Sequence, residues 1–304
     1  MTWESRLVST YCLLCKHSDL IYCSALRHSN NAEPAFTDIE VMTIYLYVST
    51  RGGGYTTKKA IYDYANDHLR SWFPLLPKYH AFVQRCNHLE SAMQLLGNAL
   101  YADLAVNMPE NNQFICEYLV DSLPIMMAKN QRCKTARVAP EIASVGYCAT
   151  KKMAYYGLKI HAAGLMSAQK KLPLLSVMAI TAASPHDLTG FKQDLARNCT
   201  NAKVYADSAY CDKGGASELK QLYNVTICPI QKRDIGQEEL GFLQKCQNSA
   251  ISAIRQPIEG LFNWLIEHTG IQDASKCRAT KGVLFHIHAK IAASAVILAL
   301  KIAF

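Results

Sequence analysis

The sequence predicts an α/β chain in which a mixed five-stranded sheet flanked by helices follows an N-terminal helical domain. Three observations predict it. The first hundred or so residues repeat their apolar positions at helical spacing; the period changes after Met108-Pro109-Glu110-Asn111-Asn112; and from there runs of strand length alternate with helical ones. The boundary divides a helical domain over 1–111 from a sheet domain with C-terminal helices over 112–304.

The helical part has readable starts and stops. Thr37 can cap a helix and Glu40 completes a capping box, with Val41, Ile44, Tyr45 and Val48 following on one face. Arg51-Gly52-Gly53-Gly54 ends that helix as a flexible turn, because a phosphate cradle needs a preceding strand and a Gly-Lys-Ser/Thr ending. A second helix runs from Thr56 through Ala60, Ile61, Tyr64, Ala65, Leu69 and Trp72 until Pro74 and Pro77 break it. A third, from about His80 to Tyr101, carries Phe82, Cys86, Leu89, Met93 and Leu96. Short basic helices joined by turns suit a DNA-binding bundle and equally an ordinary helical cap.

Strands follow. Phe114 to Val120 is a near-continuous apolar run ending in Asp121. Tyr155 to Ala163 alternates, with Leu158, Ile160 and Ala162 on one side and Lys159 and His161 on the other. Leu174 to Thr181 is a third strand, and Ser184-Pro185-His186-Asp187 opens a helix through Leu188, Phe191 and Leu195. Val204-Tyr205-Ala206 makes a fourth strand ending in Asp207, Leu219 and Leu222 mark a helix, and Val225 to Ile230 makes a fifth strand. A polar connector from Gln231 to about Gln247 precedes a long helical C-terminus. Three strands that can pair as a meander, then strands alternating with helices, call for a mixed sheet covered on both faces. An RNase H-like arrangement satisfies this order. A dinucleotide-binding fold needs a helix and a Gly-rich turn after the first strand, and neither is there.

Composition sets limits. Half of the 304 residues are apolar and 18% are charged, enough for a sizeable core and unlike a disordered or collagen-like chain. Lys and Arg number 32 against 24 Asp and Glu, and the +8 excess permits a polyanionic partner without demanding one. The twelve cysteines are spread evenly and Met1-Thr2-Trp3-Glu4-Ser5-Arg6 does not read as a signal peptide, so reduced thiols in the cytoplasm are expected. Cys12 and Cys15 with Cys23 and His28 could form a zinc site, but two cysteines lining a helix is the favoured reading. The run Ile291 to Leu300 is too short for a bilayer core, which needs about twenty residues. Ile291, Ala295, Leu298, Ala299 and Ile302 give it the spacing of a buried terminal helix. No membrane partner is expected.

Candidate chemistry lies in three acids. Asp121 and Asp207 each directly follow a strand, and if those strands are adjacent and parallel both carboxylates emerge at one sheet edge. Like charges so placed need a cation between them, and hard oxygen ligands suit Mg²⁺ or Mn²⁺. Glu259 borders the apolar stripe Ile258, Leu261, Phe262, Leu265 and Ile266 of the last long helix, from which it can reach across the sheet end. Arg255 lies four residues earlier, on the same face if the helix already runs there, or on an entry loop if Pro257 starts the helix.

Together these residues resemble a known family. Tyr118-Leu-Val-Asp121-Ser-Leu-Pro, Gly146-Tyr-Cys-Ala-Thr-Lys-Lys152, Tyr156-Gly-Leu-Lys-Ile-His161, Ser184-Pro-His-Asp187, Ala206-Asp207-Ser-Ala-Tyr210 and Arg255-Gln-Pro-Ile-Glu259 are similar to segments of the DDE transposases of bacterial insertion sequences. The resemblance is to the insertion sequence 982 type. Ala60-Ile-Tyr-Asp-Tyr, Trp72-Phe-Pro-Leu-Leu-Pro77 and Phe82-Val-Gln-Arg85 extend it over nearly the whole chain. It implies an RNase H-like core whose Asp121, Asp207 and Glu259 bind two divalent ions (Mg²⁺ or Mn²⁺) and cut and rejoin double-stranded DNA. It also implies a cytoplasmic bacterial enzyme, nucleoid-associated when bound, acting as a homodimer on transposon ends and target. The separations of 86 and 52 residues leave no room for a large insertion before the glutamate. Ser252 and Ile266 stand where related transposases carry Tyr and Lys, so Lys276 or Arg278 could supply the lysine's role.

Basic residues concentrate near the first two strands. From Asp121 to Ile160, Lys129, Arg132, Lys134, Arg137, Lys151, Lys152 and Lys159 face only Asp121 and Glu141. Lys129, Arg132, Lys151, Lys152, Lys159, His161, Arg255, Lys276 and Arg278 are the expected DNA contacts, most of them sequence-independent phosphate contacts. His186 is expected to orient a metal carboxylate. Asp187, a rival ligand, is also explained by its place at a helix start. Two alternatives stay open: an RNase H-like nuclease without joining activity, and a non-catalytic DNA-binding protein descended from a transposase.

Overall fold

The computed structural model of the protein describes residues 2–26, 34–52, 54–106, 116–166, 172–212, 215–233 and 237–301. It divides into two compact units, one of Met1–Asn107 with Leu265–Phe304 and one of Met108–Trp264.

The first unit is helical: α1 (Trp3–Cys15), α2 (Ser18–Ser24), α3 (Asp38–Ser49), α4 (Lys58–His68), α5 (Tyr79–His88), α6 (Glu90–Val106) and α10 (Thr280–Ala299). The Thr37 capping box forms in both directions: the Glu40 amide donates to Thr37 Oγ1 at 3.2 Å and the Thr37 amide to Glu40 Oε2 at 2.6 Å. The expected helix from His80 to Tyr101 is two helices. They are interrupted at Leu89, whose amide bonds the carbonyls of both Arg85 and Cys86 and closes α5 there. α10 packs along α6 and α3, with Tyr45 edge-on to Phe285 at 4.8 Å and Tyr101 bonded to Ser294 at 2.7 Å. The expectation that the C-terminal helices belong with the sheet, over 112–304, differs from this. α10 is apolar and long enough to cross a membrane, but 83% of its most apolar window is buried inside the protein. Ile291 and Ala295 lie in its core-facing side, Leu298 is exposed, and Ile302 lies outside the described residues. All twelve cysteines are free thiols; Cys12 and Cys15 line α1, and His28 lies outside the described residues.

The second unit is built on six strands: β1 (Cys116–Lys129), β2 (Ser144–Cys148), β3 (Met153–Leu165), β4 (Leu174–Ala182), β5 (Ala202–Ala206) and β6 (Val225–Pro229). Its helices are α7 (Asp187–Gly190), α8 (Ala216–Tyr223) and most of α9 (Phe242–Thr269). β1 pairs antiparallel with β3 and parallel with β5, which pairs parallel with β6. The far edge of β3 is shared, with β2 on Met153–Gly157 and β4 on Leu158–Leu165. The five expected strands thus take the order β4-β3-β1-β5-β6, the mixed sheet of an RNase H-like fold. β2 is an addition. Its Val145 and Tyr147 are exposed, so it carries no apolar alternation to read.

Both faces of the sheet are covered, as period-2 strands without a wet face require. On one face Tyr118, Val120, Ala163, Val204 and Ala206 pack with Phe191, Leu195, Tyr210 and Leu219. The other face meets α9, where a Cβ on Gly164 would lie 3.1 Å from Ile258. Ile258, Leu261, Phe262 and Leu265 are buried, as their spacing predicts, and Ile266 is half-buried. Pro257 lies inside α9 rather than at its start, so Arg255 and Glu259 share a helical face.

Candidate active site

β1 and β5 set the first two acids. Cys116 pairs with Ala202 and Leu119 with Tyr205, and continuing this register puts Asp121 level with Asp207. β5 stops at Ala206, whereas β1 runs on to Lys129 as a hairpin arm against β3. Asp121 therefore sits where β1 has just lost its parallel neighbour, on an open edge inside a long strand rather than at a strand end. Asp207 caps the turn Ser208–Tyr210, its Oδ1 accepting the Ala209 amide at 2.8 Å.

Arg255 ties Asp121 to the third acid, Glu259. Its guanidinium donates to Asp121 Oδ2 at 3.0 Å and to Glu259 Oε1, one helical turn on, at 2.9 Å. The Ser122 amide takes Asp121 Oδ1 at 2.7 Å. Burial pushes the Asp121 carboxyl up to about 6 against the pull of the Ser122 amide and Arg255, and the charges of Asp207 and Asp187 push the same way. One cation is thus shared among carboxylates that repel one another. Hard oxygen donors are the chemical type that divalent cations such as Mg²⁺ and Mn²⁺ take. As placed, no group of three or more His, Cys, Asp or Glu side chains among the described residues could hold a metal ion. Arg255 links two of the three acids instead.

The other expected residues divide by burial. Lys129, Arg132, Lys151 and Lys152 are exposed, the last two in the turn between β2 and β3. Lys159 is 14% exposed and donates to Asp187 Oδ1 and to the Pro185 carbonyl, both at 2.9 Å, so its charge is spent within the protein. His161 is fully buried, its Nε2 2.9 Å from Thr181 Oγ1, and burial pushes its pKa below the usual histidine range. A Cβ on Gly190 would come within 2.4 Å of that ring. In this structure α7 and the turn after it close over the polar side of β3, and His161 packs beneath them. His186 is exposed, and its Nδ1 accepts the Leu188 amide at 3.4 Å at the start of α7. Lys276 and Arg278 are exposed in the first unit, between α9 and α10, and Arg278 donates to the Ser275 carbonyl at 3.2 Å.

Sequence reasoning gave Tyr210 no role, although it is quoted in Ala206-Asp207-Ser-Ala-Tyr210. Its hydroxyl is buried with no hydrogen-bond partner among the described residues. Burial raises its pKa well above the usual tyrosine value, and Asp121, Asp187 and Asp207 add to the effect. The available signal was an aromatic residue three positions after a strand-end acid.

An RNase H-like sheet carrying level aspartates on its central parallel pair defines a protein of the transposase and nuclease class. The chain belongs to the DDE transposase family: the family model described as a transposase DDE domain matches residues 112–296. No curated protein and no solved structure matches it.

Proposed function

We propose that the protein is a DNA transposase that cleaves and joins the ends of an insertion sequence through Asp121, Asp207 and Glu259, and that it is of the insertion sequence 982 type. The observation that carries this reading is the parallel register that levels Asp121 with Asp207, with Arg255 tying Asp121 to Glu259. The three acids would hold two Mg²⁺ or Mn²⁺ ions. Bound there, such ions would activate an attacking hydroxyl and stabilise the leaving oxygen of a phosphodiester. The chain's own work is to hold its acids at fixed separation on a strand, a capped turn and a helix. The exposed Lys129, Arg132, Lys151 and Lys152 would take phosphates of double-stranded DNA, in a cytoplasmic protein acting as a homodimer on its DNA.

The test is a labelled-end assay on the DNA flanking the reading frame, with Mg²⁺ or Mn²⁺ present. Asp121→Asn, Asp207→Asn and Glu259→Gln are each expected to abolish cleavage while leaving end binding largely intact. Full cleavage by any one of them would remove that residue from the site. Cleavage without joined product in the parent protein would favour a nuclease.

A further inference from the structure

Lys290 stands on α10, the most apolar helix of the first unit, and is 0% exposed. Its amine meets the end of α3 and the turn that follows it, donating to Ser49 Oγ and to the Tyr55 carbonyl, both at 3.4 Å. Both bonds are at the long limit for such contacts. The Tyr45 ring closes a third side, its centroid 5.7 Å from Nζ. All three neighbours are uncharged, so a lysine is enclosed without a counter-charge among the described residues.

The ionisable groups around α10 are engaged elsewhere. On α10 itself, His286 is one turn before Lys290 and its Nε2 lies 3.0 Å from the Ile271 carbonyl. Asp273, in the segment before α10, acts on His286. Glu90 of α6 meets His288 at 2.9 Å, and Tyr101 of α6 bonds Ser294. On α5, Arg85 donates to Asp38 at 2.6 Å and His88 lies 3.1 Å from the Ala25 carbonyl. Lys58 of α4 donates to Asn87 at 2.5 Å. An ammonium held this way loses its hydration and gains no carboxylate, and such a group sheds its proton rather than stay charged. Burial accordingly pushes Lys290 from the ordinary lysine value of 10.5 down to about 7.

We propose that Lys290 makes the helical unit pH-sensitive: α3, the turn to Tyr55 and α10 close around its uncharged amine, and protonation loosens that joint. The sign follows from proton binding. The exposed amine holds a proton up to about pH 10.5 and the enclosed one only below about 7, so between these values a falling pH favours the open form. Below about pH 7 both forms are charged and the effect levels off.

The experiment labels Cys86 in the full-length protein with iodoacetamide and reads its peptide by mass spectrometry. Cys86 is fully buried on α5, and burial pushes its thiol up to about 12, so it reacts when the unit opens. The parent is compared with Lys290→Met, which keeps the side chain's length without its charge. Dividing the two rates at each pH cancels the reactivity of the thiol. The parent is expected to be labelled faster, and the ratio to grow about 70-fold from about pH 9.5 to about pH 7.5. A ratio that stays constant with pH overturns the proposal. So does a variant labelled faster than the parent throughout, because the amine would then hold the joint together whatever its charge.

Discussion

Arg255 concentrates its energy on one of its two bonds. The arm to Asp121 joins side chains that are 12% and 21% exposed, whereas Glu259 is 54% exposed. An exposed pair is worth under about 1 kcal/mol, and a shielded charged hydrogen bond about 1.5–3 kcal/mol. Arg255 therefore acts chiefly as the counter-charge of Asp121. Arg255→Gln is expected to bind Mn²⁺ roughly tenfold more tightly than the parent, about 1.4 kcal/mol, because the acids lose their competitor. Calorimetric titration checks this, and unchanged affinity would show that the guanidinium does not compete. The sequence puts Asp121 and Asp207 directly after strand-length apolar runs, and the parallel register of β1 and β5 carries the two to one level. What covers their neighbours was not legible there: Lys159 and His161 read as an open polar face because the approach of Gly190 to the His161 ring is a long-range contact with no local pattern.

At the level of elements, local chemistry was the most readable. The Thr37–Glu40 capping box is complete within four residues, and the observed helix begins at Asp38 as expected. Pro257 misleads for the same reason. Proline favours a helix start, yet here packing of Ile258 and Leu261 carries α9 through it. The β2–β3 hairpin escaped notice because its outward residues are exposed, but it presents Lys151 and Lys152 together at its turn. If that turn lies on the DNA path, Lys151→Ala with Lys152→Ala should weaken DNA binding and lower the slope of log affinity against log salt by about two. A slope equal to the parent's would take the hairpin off the path.

For the whole molecule, strand order was legible because three pairable strands followed by strand–helix alternation leave few ways to build one sheet. The destination of the last helix was not. α10 is apolar nearly all round, and such a helix states that it is buried without stating against what. In the structure it joins α6 and α3. The net charge of +8 fits a polyanionic partner at this scale but places none of its contacts. The central claim is that acids far apart in the chain meet as a divalent-cation centre, and the position of bound Mn²⁺ in crystals, read from anomalous scattering, tests it most directly. The account predicts Mn²⁺ on the carboxylates of Asp121 and Asp207, with Glu259 turned toward it and Arg255 displaced. Mn²⁺ found only elsewhere, with Arg255 still seated on Asp121, would contradict it.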